Sequence, residues 1–437
     1  MKTTITAIRA RQIWDSRGRP TIEADITLAD GSFGRACAPA GASRGAHEAV
    51  ERRDGGDQFA GQGVDGAVEA VNGELARLLV GQDATGQANL DRMMTQADGT
   101  PNLSRLGANA IVAVSLAALH ASAAAHRLPL WRWLAGDRPV RLPLPEVQIF
   151  GGGAHAGRRT DIQDFMIMAP KAGSVRRALE ITAEVYRAAG ALMEEAGRLA
   201  GVADEGGWWP LFAANEEALT TLTRSIERAG YRPGEEVFIS LDVAANELHC
   251  DGRYRLPLDN AELDGEAMVE RVARWAGMHP ILSIEDPVSQ DDLAGMALAT
   301  ARLGEHIQII GDDFLVTDPN RVAWAAAAGA CNAVLIKVNQ AGTVTKAKAA
   351  LNAAKTLGWS TIVSARSGET EDVSIAHLAV GWDAGQLKVG SFSRSERMAK
   401  WNELLRIEEQ MGAAAVFAGS DAFPSSVAAH LKSSIGA

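Results

Sequence analysis

Apolar and polar residues alternate over positions 4–40, with turn residues at Ser16-Arg17-Gly18 and Asp30-Gly31. Period-two alternation cut by such turns predicts a three-stranded antiparallel meander. Helical spacing then takes over at 64–80 and again at 105–126. The second stretch is so rich in Ala, Val and Leu that it lacks a polar face, which predicts a largely buried helix. Pro129, Pro139, Pro143 and Pro145 break the pattern. They predict a boundary near residue 141, between an N-terminal α+β domain (1–141) and a larger second domain (142–437).

Beyond that boundary short apolar runs alternate with longer helical patterns. The runs are Val237–Leu241, Ile281–Ile284, Ile307–Ile310, Ala333–Ile336, Thr361–Ser364 and Gln386–Val389. Apolar strands separated by helices predict a parallel sheet covered on both faces. A series this long predicts a closed (β/α) barrel rather than an open sheet. The length of 437 residues suits such a barrel plus a smaller domain.

Composition adds limits. Hydrophobic residues make up 47% and charged residues 22%, as in an ordinary globular chain. The net charge of −11 argues against nucleic acid as the main partner, but not against a small anion met by a local basic or metal cluster. No apolar run approaches about 20 residues, and Met1–Ile5 carries no secretion signal, so no membrane span and a cytoplasmic location are expected. Cys37, Cys250 and Cys331 form no CxxC, and are expected to be reduced and packed.

The chemistry lies where the strands end. Asp242, Glu285 and Asp312 follow or close three of the apolar runs, and Lys337, Arg366 and Lys388 do so in three others. In a barrel the C-terminal strand ends meet at one mouth. Any one of these residues alone reads as a solvated loop charge, but all six in strand order do not. Three carboxylates aimed at one point need a cation between them, and an all-oxygen set selects a hard ion such as magnesium. A lysine among positive neighbours tends to lose its proton and can serve as a general base. Glu205 lies in the glycine-rich loop Ala203-Asp204-Glu205-Gly206-Gly207 and is a candidate general acid.

These stretches resemble the enolase family almost end to end. The matching segments are Asp15-Ser16-Arg17-Gly18-Arg19-Pro20, Gly41-Ala42-Ser43, Gly107-Ala108-Asn109-Ala110, Asp204-Glu205-Gly206-Gly207 and Ser283-Ile284-Glu285-Asp286. Gly311-Asp312-Asp313, Leu335-Ile336-Lys337-Val338-Asn339-Gln340 and Arg366-Ser367-Gly368-Glu369 continue them. The resemblance implies an α/β fold, an enolase-type (β/α)8 barrel with an N-terminal α+β capping domain. It implies a lyase that takes the proton beside a carboxylate and eliminates water, converting 2-phosphoglycerate or a close analogue to an enolpyruvate. Two Mg²⁺ per site are implied: Asp242, Glu285 and Asp312 hold the first, and Ser43 helps with the second. Lys337 is the implied base and Glu205 the group that helps the hydroxyl leave. Lys388 neutralises the substrate carboxylate, Arg366 and Ser367 hold the phosphate, and His155 lines the pocket. Gln163 and Asp164 are further implied substrate contacts. A homodimer is implied as well.

The chain departs from the family pattern at several of these positions. Ala365 replaces the histidine before the Arg-Ser pair, Gly151 replaces an asparagine, and Asp164 replaces a glutamate. Arg44 replaces a threonine, and Arg158 and Arg159 add charge to the second loop. Two readings stand: neutral drift in an ordinary enolase, or a paralog with a larger, more anionic substrate. The second kind makes carboxyphosphonoenolpyruvate in phosphonate antibiotic pathways. There Arg44 or Arg158 would meet an additional carboxylate near Ala365. A mandelate-racemase-like dehydratase would need a Lys-x-Lys or His-Asp pair that is missing. A non-catalytic protein on this fold would be expected to have lost a ligand, base or acid, and none is lost.

Overall fold

The computed structural model describes residues 2–42 and 45–433. The alternating N-terminal stretch forms β1 (Ile5–Trp14), β2 (Pro20–Leu28) and β3 (Phe33–Cys37), paired antiparallel in that order. Helix α1 (Asp65–Ala70) continues through a π turn (Val71–Leu75) into α2 (Ala76–Leu79). After α3 (Gln87–Asp98) comes α4 (Ala108–Ala125), which packs on β2 and β3. By length and composition α4 could cross a membrane, yet 83% of it is buried inside the fold. Its approach to the sheet is backbone to backbone. A Cβ on Gly34 would stand 2.1 Å from the Ala117 carbonyl oxygen, so only glycine permits that contact.

The short helix α5 (Leu130–Ala135) leads into β4 (Leu144–Gly151) and β5 (Asp164–Met168), followed by α6 (Val175–Glu195) and α7 (Asn215–Arg228). β6 (Phe238–Asp242) precedes a small antiparallel sheet of β7 (His249–Cys250), β8 (Arg253–Leu256) and β9 (Ala261–Leu263). Helix–strand alternation then runs regularly. It proceeds through α8 (Gly265–Met278), β10 (Ile281–Glu285), α9 (Leu293–Leu303), β11 (Gln308–Gly311) and α10 (Pro319–Ala327). Next come β12 (Ala333–Ile336), α11 (Val338–Ala341), α12 (Val344–Thr356), β13 (Ser360–Ser364), α13 (Ser374–Gly381) and β14 (Gly385–Ser391). The last two helices are α14 (Ser395–Met411) and α15 (Ser425–Ser433).

Eight strands close a barrel in the order β10-β11-β12-β13-β14-β4-β5-β6. The expectation of an all-parallel sheet holds for seven of them. β5 runs antiparallel to both β4 and β6. The cause is the connection: residues 152–163 hold only one 3-10 turn, too short to carry a strand back over the barrel. The end of the barrel away from the mouth is plugged by apolar residues. Leu144, Met168, Phe238 and Leu282 pack there with Phe423, Val427 and Leu431 around α15. Inside, the barrel is not uniformly apolar. Ser240 donates to Glu146, Ser283 to Gln308, and Gln308 to Ser360, all buried. The cysteines are all free; Cys37 and Cys331 are buried as expected, whereas Cys250 is exposed in the β7–β8 hairpin.

Candidate active site

The barrel register brings the charged strand ends together. Asp242 on β6 stands opposite Glu285 on β10, and Lys388 on β14 stands opposite Ser364 on β13. Asp312 follows β11 and Lys337 follows β12 directly. Because β5 is reversed, its first residue, Asp164, reaches the mouth and pairs across to Asp242. His155 comes from the 3-10 turn Gly153–Ala156, and Glu205 from the loop between α6 and α7. His155, Gln163, Asp164, Glu205, Asp242, Lys337, Arg366, Ser367 and Lys388 line one cavity. Glu285 and Asp312 join it through the lysines. Ser43 and Arg44 lie outside the described residues.

Lys388 Nζ donates to Asp242 Oδ2 at 2.9 Å and to Glu285 Oε2 at 2.6 Å. Gln163 Nε2 adds a bond to Asp242 Oδ2 at 3.1 Å, and the Ala244 N–H meets Oδ1 at 3.0 Å. Lys337 Nζ donates to Asp312 Oδ2, while Gln340 Nε2 holds Asp312 Oδ1 at 2.8 Å. Burial alone would push both lysines toward neutrality. The touching carboxylates outweigh it: Asp312 raises Lys337, and Asp242 with Glu285 raises Lys388 well above the lysine range. Mutual repulsion among the basic groups, which favours neutral lysines, is the smaller effect at these distances. The expected loss of the Lys337 proton is thereby corrected: its contact with Asp312 favours the charged form. Burial raises Asp312 too, but Lys337, Arg366 and Lys388 hold it below the usual carboxylate range. Glu285 goes the other way, lifted well above that range by burial and the Asp242 charge.

On the opposite wall His155 bridges two groups. Nδ1 lies 3.0 Å from Asp164 Oδ1, and Nε2 lies 3.0 Å from Ser367 Oγ and 3.7 Å from Glu205 Oε1. Burial disfavours its charged form, but Asp164 and Glu205 raise the imidazole to about 9. Arg397, wholly buried in α14, clamps the backbone beneath the anion-binding pair. It donates to the carbonyls of Arg366 at 2.7 Å, Val389 at 2.9 Å and Ser367 at 2.5 Å.

The residues suit a hard divalent cation. Glu285 Oε1 is buried and has no hydrogen-bond partner among the described residues, although it sits among Asp242, Asp312 and two lysines. A buried carboxylate oxygen left unmatched is costly, and a cation shared with Asp242 and Asp312 would match it with oxygen donors alone. Two other sets draw ligand atoms to within 4.8 Å of one another: His155, Asp164 and Glu205, and Asp286, Asp312 and Asp313. Asp286 is committed to backbone, since it accepts the N–H groups of Asp312 and Asp313 at 2.9 and 2.7 Å.

Several departures from the family pattern find their physical setting here. Ala365 is buried and presents only a methyl to the cavity. Gly151 leaves no void, because a Cβ there would lie 2.6 Å from Ala203 Cβ and 3.1 Å from Gln148 Oε1. Gln148 fills that space, donating to Asp164 and accepting the Gly207 N–H at 2.9 Å. Arg158 pairs with Glu247 at 2.8 Å and stays largely exposed, outside the cavity lining. It is therefore not placed to meet a carboxylate near Ala365. Glu48, Gln340, Gln148, Arg397 and Glu146 all support the site and are not singled out by sequence. Only Glu146 and Gln148 leave a signal, two polar residues inside the otherwise apolar Leu142–Phe150 run; of the two, Glu146 is the carboxylate. Burial raises it, and its Oε2 has no partner among the described residues.

Comparison with protein families gives two matches. The enolase N-terminal domain matches residues 5–134. The enolase C-terminal TIM barrel domain matches residues 139–426.

Proposed function

The chain belongs to the enolase family, and we propose that it removes the proton beside a substrate carboxylate and expels water, giving phosphoenolpyruvate from 2-phosphoglycerate or a related enolpyruvate from a close analogue. The observation that carries this reading is the placement of Lys337 and Glu205 on one small cavity with the anion-binding candidates Arg366, Ser367 and Lys388. A base and an acid facing one substrate from different walls is what elimination across a carbon–carbon bond needs.

In this reading Lys337 Nζ takes the proton from the carbon next to the carboxylate. Glu205, steadied beside His155, gives a proton to the departing hydroxyl. Lys388 lies against the carboxylate, and Arg366 with Ser367 orients the phosphorus group. Asp242, Glu285 and Asp312 would hold magnesium, which supplies positive charge where the substrate carboxylate becomes dianionic. Asp312 would then hold the Lys337 proton less tightly, which would suit Lys337 to act as the base. A Lys base working beside Mg²⁺ is the established pattern of the enolase superfamily, not a deduction from this chain.

Chelation by EDTA is expected to abolish turnover, and added Mg²⁺ to restore it. Mg²⁺ is also expected to raise the thermal midpoint, by an amount equivalent to about 2.7 kcal/mol at a hundred times its dissociation constant. An unchanged midpoint at millimolar Mg²⁺ would contradict the assigned ligands.

Ala365 favours a second reading, in which a carboxyphosphono substrate replaces the phosphate ester and the product is carboxyphosphonoenolpyruvate. The methyl at 365 leaves room beside Arg366 that a larger side chain would take. Ultraviolet absorbance of the enol product separates the two. Rapid turnover of 2-phosphoglycerate supports the ordinary reaction. Negligible turnover from folded, Mg²⁺-binding protein, with turnover of the carboxyphosphono substrate, supports the other. Ala365→His is expected to shift relative kcat/KM toward 2-phosphoglycerate by about tenfold or more. A ratio that does not move would remove residue 365 from the specificity argument.

A further inference from the structure

Glu48 and Arg366 form a buried ion pair that joins the segment after residue 44 to the loop after β13. Arg366 Nη1 donates to Glu48 Oε2 at 3.0 Å and Nη2 to Oε1 at 3.3 Å. Both residues are less than a tenth exposed, at 5% and 8%. The carboxylate is itself gripped: the Gly45 N–H reaches Oε1 at 3.0 Å and Gln340 Nε2 reaches it at 3.3 Å. Gln340 in turn holds Asp312 and accepts Thr317 Oγ1 at 2.8 Å. Residues 40–42 are pinned to the same loop after β13. Ala40 and Gly368 exchange backbone hydrogen bonds at 2.9 and 2.8 Å, and the Ala42 N–H meets Ser367 Oγ at 3.2 Å.

A surface counter-ion is held loosely and screened by water. Glu48 is held by donors from three elements, so it acts as a fixed stop for a long, flexible side chain. We propose that Glu48 is a positioning residue for anion recognition, which sets the guanidinium of Arg366 in place to meet the substrate's phosphorus group and ties residues 45–50 to that group. The inference rests on the reading of Arg366 as the phosphorus-group ligand.

Two effects of removing Glu48 oppose each other. Loss of its negative charge favours an incoming anion, while loss of its grip lets Arg366 wander. Placement dominates. Glu48→Asp keeps the charge and withdraws it by one methylene, and Glu48→Gln keeps the length and removes the charge. Both are expected to raise KM about tenfold while kcat stays within about threefold, because Arg366 holds the anion in ground and transition states alike. Calorimetric titration with inorganic phosphate, in the presence of Mg²⁺, is expected to show the same loss. Tighter phosphate binding by Glu48→Gln would overturn the proposal, as would an unchanged KM in Glu48→Asp. A fall in kcat alone, with KM unmoved, would mark a merely structural role and overturn it too. If the unsubstituted protein turns over no phospho- or phosphonocarboxylate but binds phosphate, and both variants weaken that binding, the proposed reaction fails and Glu48 keeps its role. Absence of phosphate binding in the unsubstituted protein overturns the role of Glu48 directly.

Discussion

Lys337→Ala is expected to lower turnover by roughly three orders of magnitude or more, the scale on which a positioned base contributes to a proton transfer. The carbon acid beside a carboxylate is weak, and the other basic groups on the cavity are engaged by carboxylates, His155 by Asp164 among them. Lys388 is held between Asp242 and Glu285, and Arg366 stays protonated against Glu48. The substitution leaves Asp312 with its Gln340 bond, so Mg²⁺ is expected to raise the thermal midpoint of the variant as well. Retention of more than a tenth of the original activity, in protein that folds and binds Mg²⁺, would take the base role away from Lys337.

The second large effect is on stability. Lys388 touches Asp242 and Glu285 together, and all three side chains are buried. Breaking a buried ionic cluster by deleting one partner costs about 3–5 kcal/mol, because the remaining charge is left without compensation. Lys388→Ala is therefore expected to lower the thermal midpoint clearly. The same loss should make Mg²⁺ a stronger stabiliser of the variant than of the parent, since a divalent cation can substitute for the lost charge but cannot replace the lysine against the substrate carboxylate. Calorimetry with and without Mg²⁺ reads the first effect and steady-state kinetics the second. Equal Mg²⁺ stabilisation of both proteins would mean that Lys388 and the cation do not share the Asp242–Glu285 pair.

Legibility from sequence follows the physics of each element. Six barrel strands stand out because their residues face either the barrel interior or the covering helices and are mostly apolar, with Ser240, Ser283, Gln308 and Ser360 among the interior exceptions. β4 and β5 do not. β4 carries Pro145, Glu146 and Gln148, and the last two turn into a polar interior where Ser240 donates to one oxygen of Glu146 and Asp164 accepts from Gln148. β5 is short and reversed, so neither its length nor its direction follows the rhythm of its neighbours. The charged strand ends are legible because a barrel forces strand termini to one rim, whatever the details of packing. Glu48, Gln340 and Arg397 are hidden for the opposite reason. They enter from a loop, a one-turn helix and the buried face of α14, where a polar residue leaves no periodic mark. The protonation of the lysines also escapes a reading by sequence, since it depends on contacts of under 3 Å and not on the tally of charges nearby.

The reversed strand gives this barrel a detachable corner. Asp242, Glu285, Asp312, Lys337 and Lys388 instead sit at or just after barrel strands that lead on to covering helices, and inserting or trimming a loop there shifts a helix that the core depends on. Between β4 and β5 the chain leaves the mouth and comes back to it within a dozen residues, delivering His155, Gln163 and Asp164 without a covering helix in between. Sequence change in that stretch can re-shape one wall of the cavity while the β4–β5 pairing keeps the cylinder shut. For laboratory evolution it is a cassette with two fixed ends, the natural place to randomise when a different anion is wanted in the same cavity.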